Sequence, residues 1–169
     1  MKSKSLFYIF LMICLALFLT GCGGEGGGSG GGGEGGDDGP GKIFIINSVI
    51  PNDAVENLQV VAGKGIRFTA MGMDWFIQDK VVLSDNGNVT DTIKVEIDGI
   101  TGYNSIYTGK WSQNGLLINV HFTKEKDKIK GKTKDINQHG SAALSADGNT
   151  LSNTEIKGDL PFKFIYAKQ

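Results

Sequence analysis

The chain is poor in the residues that most often reveal the chemistry of a small protein: it has 2 cysteines, 2 histidines and 3 prolines among 169 residues. Both cysteines lie in the first 22 residues, which excludes an internal disulfide or a cysteine-based metal site from the remainder. Lysine and arginine (17) nearly balance aspartate and glutamate (18). This balance is not the basic character of a nucleic-acid-binding domain. The sequence therefore predicts a domain held together by its core, with no nucleic-acid partner.

The one long apolar run lies at the N-terminus, where Lys2 and Lys4 precede an uninterrupted stretch from Leu6 to Leu19. A charged start, a short apolar run and small residues after it are typical of a secretory signal peptide. The run is shorter than the roughly 20 residues that a transmembrane helix needs. We therefore predict that residues 1–21 form a helical signal peptide that is cleaved off.

The run ends in Leu19-Thr20-Gly21-Cys22, which resembles the lipobox of bacterial lipoproteins. The resemblance implies cleavage before Cys22, a thioether-linked diacylglycerol on its sulfur, and acylation of the new N-terminus, for example by palmitate. Several acyl chains hold a protein on a membrane far more firmly than one, since each buried CH₂ contributes about 0.8 kcal/mol. The resemblance thus implies a lipid-anchored protein of the cell envelope. In a Gram-negative cell, Gly23 in place of aspartate favours the outer membrane.

A glycine-rich tether follows the cysteine, and together they occupy residues 22–42. Thirteen of the nineteen residues from 23 to 41 are glycine, which is half of the 26 in the chain. Such a composition cannot bury apolar surface and predicts disorder. The root-mean-square span should be roughly 25 Å and the full extension about 65 Å. We expect the tether to hold the following domain, residues 43–169, clear of the lipid headgroups.

Residues 43–169 show turn signals and strand patterns rather than helical periodicity. Asn-Gly or Asp-Gly pairs, which favour two-residue hairpins, occur at 86–87, 98–99, 114–115 and 147–148. Apolar residues alternate with polar ones between these turns, as is typical of half-buried antiparallel strands. The predicted fold is all-β, an antiparallel meander closed into a small barrel, with a β-sandwich as the alternative. The predicted strands are 43–47, 57–62, 66–72, 75–84, 89–98, 103–111, 116–124, 129–136, 140–145, 150–157 and 161–167.

This strand–turn–strand pattern includes Gly109-Lys110-Trp111. From Gly65 to Gln169 it resembles the small lipocalin-like barrels of bacterial lipoproteins, although the lipocalin G-x-W lies on the first strand. The resemblance suggests a barrel that binds a small apolar ligand. In a small barrel the same aromatic side chains could instead fill the core. The candidate lining residues are Tyr103, Tyr107, Trp111, Phe162, Phe164 and Tyr166.

Groups that support catalysis or metal binding are scarce in this domain. His121 lies on a predicted strand and His139 in a predicted turn at 137–140, and their spacing fits no zinc motif. The oxygen-rich turns at 85–88 and 147–149 do not match a calcium-binding loop. No nucleophile–base pair, carboxylate pair or phosphate-binding loop stands out. We therefore predict a protein without enzymatic activity, cofactor or metal ion.

Lysine occupies every second position from 124 to 134. On paired strands this spacing makes Lys130, Lys132 and Lys134 a candidate basic patch for lipid headgroups or an anionic glycan. The alternative is a solvated hairpin tip whose lysines discourage edge pairing. Two functions thus stay open for the domain. It could carry a small apolar ligand, or it could be a non-catalytic interaction module that docks on an envelope protein or glycan.

Overall fold

A computed structural model describes residues 41–50, 55–70, 72–153 and 163–169. The predicted signal peptide, Cys22, the tether up to residue 40 and the candidate lining residue Phe162 lie outside the described residues. Within the described ranges every regular element is a β-strand, and there is no helix. That part of the chain accordingly contains no helical segment with the length and apolarity to cross a membrane.

Ten strands follow one another along the described part of the chain, and the all-β prediction is confirmed. The alternation of buried and exposed residues is clearest in β4 and β5, where one face of each strand packs into the core. The strands are β1 (Lys42–Ile50), β2 (Glu56–Val61), β3 (Gly65–Ala70), β4 (Met73–Leu83), β5 (Asn88–Ile97), β6 (Ile100–Asn114), β7 (Leu117–Asp127), β8 (Lys132–Leu144), β9 (Thr150–Asn153) and β10 (Lys163–Lys168).

All strands belong to one antiparallel sheet in the order β1-β10-β9-β8-β7-β6-β5-β4-β3-β2. The sheet closes because β1 also pairs with the end of β4, where Lys42 lies opposite Leu83. The start of β4 pairs with β3 instead, and Ala70 lies opposite Met73. The result is the predicted closed meander, a barrel of eight strands, with the β2–β3 hairpin extending outside the ring. Closure removes the exposed edges that an open sheet would present.

The four predicted Asn-Gly or Asp-Gly turns all connect neighbouring strands. In the β5–β6 turn, Asp98 (φ 50°) and Gly99 (φ 77°) both adopt the left-handed conformation, as a type I′ hairpin requires. Asp98 Oδ1 accepts the N–H of Asp74 at 3.0 Å, and the Asp98 N–H donates to the Asp74 carbonyl at 2.8 Å. These bonds explain how a residue other than glycine is held at positive φ.

The predicted turn at 137–140 is wrong, because β8 runs through it as one continuous strand. His139 pairs with His121 and Gly140 with Val120 across the β7–β8 ladder. Asparagine and glycine disfavour strands locally, but pairing along a whole neighbouring strand outweighs that preference. The predicted strands 129–136 and 140–145 are thus one strand, and the β7–β8 hairpin turn lies at residues 128–131, close to the predicted gap after 116–124.

The structure explains the Gly109-x-Trp111 motif on β6. A Cβ on Gly109 would lie 2.0 Å from the carbonyl oxygen of His121, so only glycine permits this approach of β6 to β7. The approach occurs where β7 has one extra residue, Thr123, between the partners of Thr108 and Gly109. Trp111 donates its indole N–H to the Ser84 carbonyl at 2.8 Å. The motif therefore fastens β6 to β7 and to the β4–β5 turn.

Candidate functional site

The meander gives the barrel two ends with different connections. β1 begins beside the β4–β5 turn, since Lys42 pairs with Leu83, and Gln169 donates its N–H to the Ile43 carbonyl at 2.9 Å. The β6–β7 and β8–β9 turns lie at this same end. We call it the tether end, because the chain that precedes Lys42 joins the barrel there. The β5–β6 turn and the β7–β8 turn at 128–131 lie at the opposite end, the tip end.

The interior next to the tether end is apolar and contains a small cavity. Side chains of β4, β7, β8, β9 and β10 surround it, among them Leu83, Val120 and Leu151, and its volume is about 20 Å³. That volume holds about one water molecule. Pockets for small organic ligands usually measure about 300–1,000 Å³. An apolar ligand of ordinary size would therefore have to widen this cavity to occupy it.

Next to the apolar region the interior contains a group of polar side chains, which we call the polar belt. On β4 and β7 the belt residues lie closer to the tip end than the residues that line the cavity. On adjacent strands, Asp91 lies opposite Tyr107, Tyr107 opposite Glu125, and Glu125 opposite Lys134. Glu125 Oε1 accepts a hydrogen bond from Ser105 Oγ at 3.1 Å, and its Oε2 lies 2.9 Å from Lys134 Nζ. A row of polar partners on one side of the sheet therefore runs from the buried Asp91 to the exposed Lys134 at the end of the barrel. The residues of the polar belt are Asp79, Asp91, Tyr103, Ser105, Tyr107, Glu125 and Tyr166.

Asp79 and Asp91 form a buried carboxyl pair, 5% and 1% exposed. They are hydrogen-bonded to each other, and Tyr166 donates its hydroxyl to Asp79 Oδ2 at 2.7 Å. The Oδ1 atom of each has no hydrogen-bond partner among the described residues. Burial raises the pKa of Asp79 to about 6 despite these hydrogen bonds. Burial and the neighbouring Asp79 raise the pKa of Asp91 well above its usual value. Their shared hydrogen bond thus favours the proton on Asp91 and the charge on Asp79.

Two tyrosines extend the belt along β6. Tyr103 and Tyr107 are hydrogen-bonded through their hydroxyls, and the Tyr107 ring packs at an angle against Phe122, 5.7 Å between centroids. Burial is the largest cause that raises the pKa of both phenols. Both therefore stay protonated at physiological pH and serve as hydrogen-bonding groups rather than as bases.

The predicted lining residues belong to the packed interior. Tyr107, Phe164 and Tyr166 are buried in the core, while Tyr103 and Trp111 are partly buried and pack against it. The sixth lies outside the described residues. These placements are the same for a ligand-lining and a core-filling role, so the lining role stays a prediction.

The three lysines of the predicted basic patch lie on the β7–β8 hairpin but differ in their partners. Lys134 pairs with the buried Glu125, as described above. The Lys130 Nζ lies 3.4 Å from Asp127 Oδ2. Within the described part of the chain no ion pair involves Lys132. The patch is therefore less uniform than the sequence pattern indicates, and its binding role stays a prediction.

The structure also brings the chain's two histidines together, on the outer face of β7 and β8. His121 and His139 pair directly across the strands, and their rings stack 4.1 Å apart within 8° of parallel. His121 Nε2 lies 2.8 Å from Asn137 Oδ1. Sequence reasoning missed this contact because it placed His139 in a turn. Recognition of β8 as one continuous strand would have placed His139 beside His121.

The sequence patterns did not identify the buried polar residues, although three of the four had a signal, since Ser105 shares the strand phase of Tyr107. Asp79 shares the strand phase of the apolar Ile77 and Val81, and Asp91 shares that of the buried residues of β5. Glu125 had no such signal, because the extra residue in β7 shifts the phase before it. The residues missed are Asp79, Asp91, Ser105 and Glu125.

No protein-family model, curated protein or solved structure matches the chain. The class of the protein therefore rests on its fold, a closed eight-stranded antiparallel meander that is consistent with a lipocalin-like barrel. Among the described residues, no group of three or more histidine, cysteine, aspartate or glutamate side chains is arranged to hold a metal ion.

Proposed function

We propose that the chain is a lipid-anchored lipoprotein of the cell envelope whose lipocalin-like barrel is a non-catalytic docking module. Cys22 is the anchor, and the glycine-rich tether holds the barrel off the membrane. The lysine-rich β7–β8 hairpin contacts an anionic glycan of the envelope. In a Gram-negative cell, Gly23 favours the outer membrane as the site of anchoring.

The observation that carries this proposal is that the chain enters the barrel at the end opposite to the lysine-rich hairpin. β7 spans the 11 residues from Leu117 near the tether end to Asp127 near the tip end. At about 3.3 Å per residue this strand is about 35 Å long. A barrel tethered at Lys42 thus carries the hairpin at the end that is farther from the lipid attachment point. This placement favours a glycan at some distance from the membrane as the partner, rather than the lipid headgroups.

The hairpin remains basic after its internal ion pairs are taken into account. Residues 124–135 contain six lysines and three acidic residues. Glu125 and Asp127 pair with Lys134 and Lys130. Within the described residues no ion pair occupies the other four lysines, all exposed: Lys124, Lys126, Lys128 and Lys132. Lys126 lies opposite Thr133 and Lys132 opposite Asp127, so the lysines project from both faces of the hairpin rather than from one. Together they attract carboxylate or sulfate groups over roughly 10 Å at moderate salt.

The turn of the hairpin is held in one conformation. The Asp127 carboxylate accepts the N–H groups of Ile129 and Lys130, each at 2.9 Å, and these bonds hold its pKa below the usual value. The Lys128 N–H donates to the Asn104 carbonyl at 2.8 Å. A preorganised loop loses less conformational entropy when it binds, which favours a docking role.

The docking proposal is tested by replacing Lys128, Lys130 and Lys132 with glutamine, a variant that keeps the Lys134–Glu125 pair. Binding of the full chain to alginate, an anionic polysaccharide, is measured at low and high salt. We expect binding at low salt that weakens as salt rises, and a loss of at least about tenfold in the variant.

The matched control replaces three exposed lysines elsewhere, Lys64, Lys80 and Lys168, with glutamine. This variant changes the net charge equally and should keep most of the binding. An equal loss in both variants would show that only overall charge matters. Absence of wild-type binding at low salt would reject an anionic glycan as the partner.

The lipid anchor is tested separately through Cys22→Ser. We expect an uncleaved or mislocalised precursor, visible as a larger band that lacks incorporated palmitate. Normal processing and full recovery in the membrane fraction would contradict the anchor while leaving the docking face untouched.

A second candidate function is the binding of a small apolar ligand inside the barrel. The aromatic side chains of Tyr107, Phe164 and Tyr166 that face the interior favour it, whereas the cavity of about 20 Å³ would have to widen. A fluorescent fatty acid added to the full chain tests this function. Saturable binding that palmitate displaces would support it, and an unchanged fluorescence would reject it.

A further inference from the structure

We infer that His121 and His139 form a binding site for a late first-row divalent metal ion, Cu²⁺ foremost, on the outer face of β7 and β8. Imidazole nitrogens suit copper, zinc and nickel, and Cu²⁺ binds most tightly in this series. Water molecules complete the coordination, since the protein supplies two ligands. The site is independent of the proposed docking function and goes beyond it.

The two rings are close enough to share one ion. A metal ion lies about 2.0–2.1 Å from each imidazole nitrogen, so its two histidine nitrogens are at most about 4.2 Å apart. The ring centroids of His121 and His139 are 4.1 Å apart on directly paired residues. The rings now stack in parallel, and rotation of the exposed His139 side chain would turn a nitrogen toward the shared ion. The paired strands hold both backbones in place, so this needs no backbone movement.

Asn137 prepares His121 as a ligand. The Asn137 Oδ1 lies 2.8 Å from His121 Nε2, and an amide oxygen only accepts hydrogen bonds. In the neutral ring Nε2 therefore carries the hydrogen, which leaves the lone pair of Nδ1 for a metal ion. Outer partners of this kind fix the tautomer and the orientation of metal-binding histidines.

The residues next to the histidine pair favour a soft or borderline metal ion over a hard one. Lys110 lies opposite His121 on β6, but its ammonium group is bonded to Asn88 Oδ1 at 2.7 Å and so is drawn toward β5. The direct strand partners of the two histidines include no carboxylate. Ca²⁺ and Mg²⁺ require oxygen ligands, so the site selects against them.

The site is tested with the full chain, purified without a polyhistidine tag, by titration with CuCl₂. Electron paramagnetic resonance reports the nitrogen ligands, and calorimetry reports the affinity. We expect one Cu²⁺ ion with two nitrogen ligands. Loss of an outer partner typically weakens metal binding by 10–100-fold, which is the effect expected of Asn137→Ala. His121→Gln and His139→Gln should each weaken binding at least as much.

The double variant His121→Gln/His139→Gln is the matched control, because it keeps Cys14, Cys22 and every carboxylate and thus measures Cu²⁺ bound elsewhere. Far-UV circular dichroism checks that each variant keeps the strand content of the wild type. Loss of the two-nitrogen signal in both folded single variants would support the site. Wild-type affinity in either single variant, or displacement of Cu²⁺ by Mg²⁺ at similar concentration, would overturn it.

Discussion

Two neighbouring regions of the barrel interior are built on the same strands but are held together differently. Around the small cavity near the tether end, apolar side chains such as Leu83 and Leu151 pack against each other. Their burial stabilises the fold in proportion to the apolar area removed from water and needs no particular partner geometry. In the polar belt, Asp79, Asp91 and Glu125 are at most 5% exposed, and each needs a partner at the right distance. One strand pattern can therefore bury both kinds of group, but only the belt depends on particular pairs and on pH.

The largest expected loss of stability follows from a truncation in the apolar region. Phe44 on β1 is fully buried and pairs with Val81, which lines the cavity. Phe44→Ala should lower the free energy of unfolding by about 3–5 kcal/mol, because a large cavity remains in a close-packed core. Urea denaturation measures the change. Phe76→Ala is the control, since Phe76 is only half-buried and lies under the Arg67 guanidinium, 5.3 Å from its ring centroid. An equal loss in both variants would contradict the assignment of Phe44 to the core.

The stability of the polar belt, unlike that of the apolar region, should depend on pH. An aspartate in the unfolded chain titrates near pH 4, whereas burial raises the pKa of Asp79 to about 6 in the folded protein. The folded state therefore binds more protons between these values, so the free energy of unfolding should fall as pH rises from about 4 to about 6. The raised pKa of Asp91 extends the fall to higher pH. One pKa unit corresponds to about 1.4 kcal/mol, which predicts a loss on the order of 1–3 kcal/mol.

Urea denaturation at pH 4.5, 6.0 and 7.5 measures this dependence, and Asp91→Asn is its control. Asparagine keeps a hydrogen-bond donor beside Asp79 but removes one of the two carboxyl groups. The variant should therefore depend less on pH than the wild type. A stability that rises with pH over this range, equally in both proteins, would refute the buried carboxyl pair.

The smallest expected effect concerns the outer end of the belt. Lys134→Met removes the partner of Glu125, whose side chain is 7% exposed, although the lysine itself is 65% exposed. Removal of one partner from a fully buried ion pair lowers the free energy of unfolding by about 3–5 kcal/mol, whereas an exposed pair contributes about 0–1 kcal/mol. Because this pair is half exposed, we expect the variant to lower the free energy of unfolding by roughly 1–2 kcal/mol. Thermal denaturation measures the change. Lys132→Met, at an exposed position on the same strand, should change stability by less than about 0.5 kcal/mol. Equal effects would show that the buried carboxylate does not need its lysine.

The apolar region was predictable from the sequence to a greater extent than the polar belt. The alternation of Val81 and Leu83 with polar residues is a local signal, and so are the Asn-Gly and Asp-Gly turns that the structure confirms. The belt has a local signal at Asp79, at Asp91 and along β6 from Tyr103 to Tyr107, but none at Glu125. Glu125 faces inward because of an extra residue in β7, and this shift depends on pairing with two neighbouring strands.

The candidate binding groups differ in the same way. The lysines at 124–134 are visible as a repeat, but their ion pairs with Glu125 and Asp127 and their distance from the tether end are not. The histidine pair was hidden because local preference predicted a turn where β8 is continuous. In each instance the residue types were evident, and the missing information was which strands lie side by side.

Local sequence patterns are sufficient to specify the all-β class, the position of the four glycine turns and the phase of most strands. These features depend on contacts within a few residues or within one hairpin. Long-range pairing in the folded barrel specifies that β1 pairs with β4, which residues meet across the barrel, and which end carries the lysine-rich hairpin. Tyr166 reaches Asp79 although 87 positions separate them, and Lys42 of β1 pairs with Leu83 of β4 although β2 and β3 lie between these strands in the chain. Such partners are chosen by the closure of the whole sheet, a cooperative property that no local pattern contains.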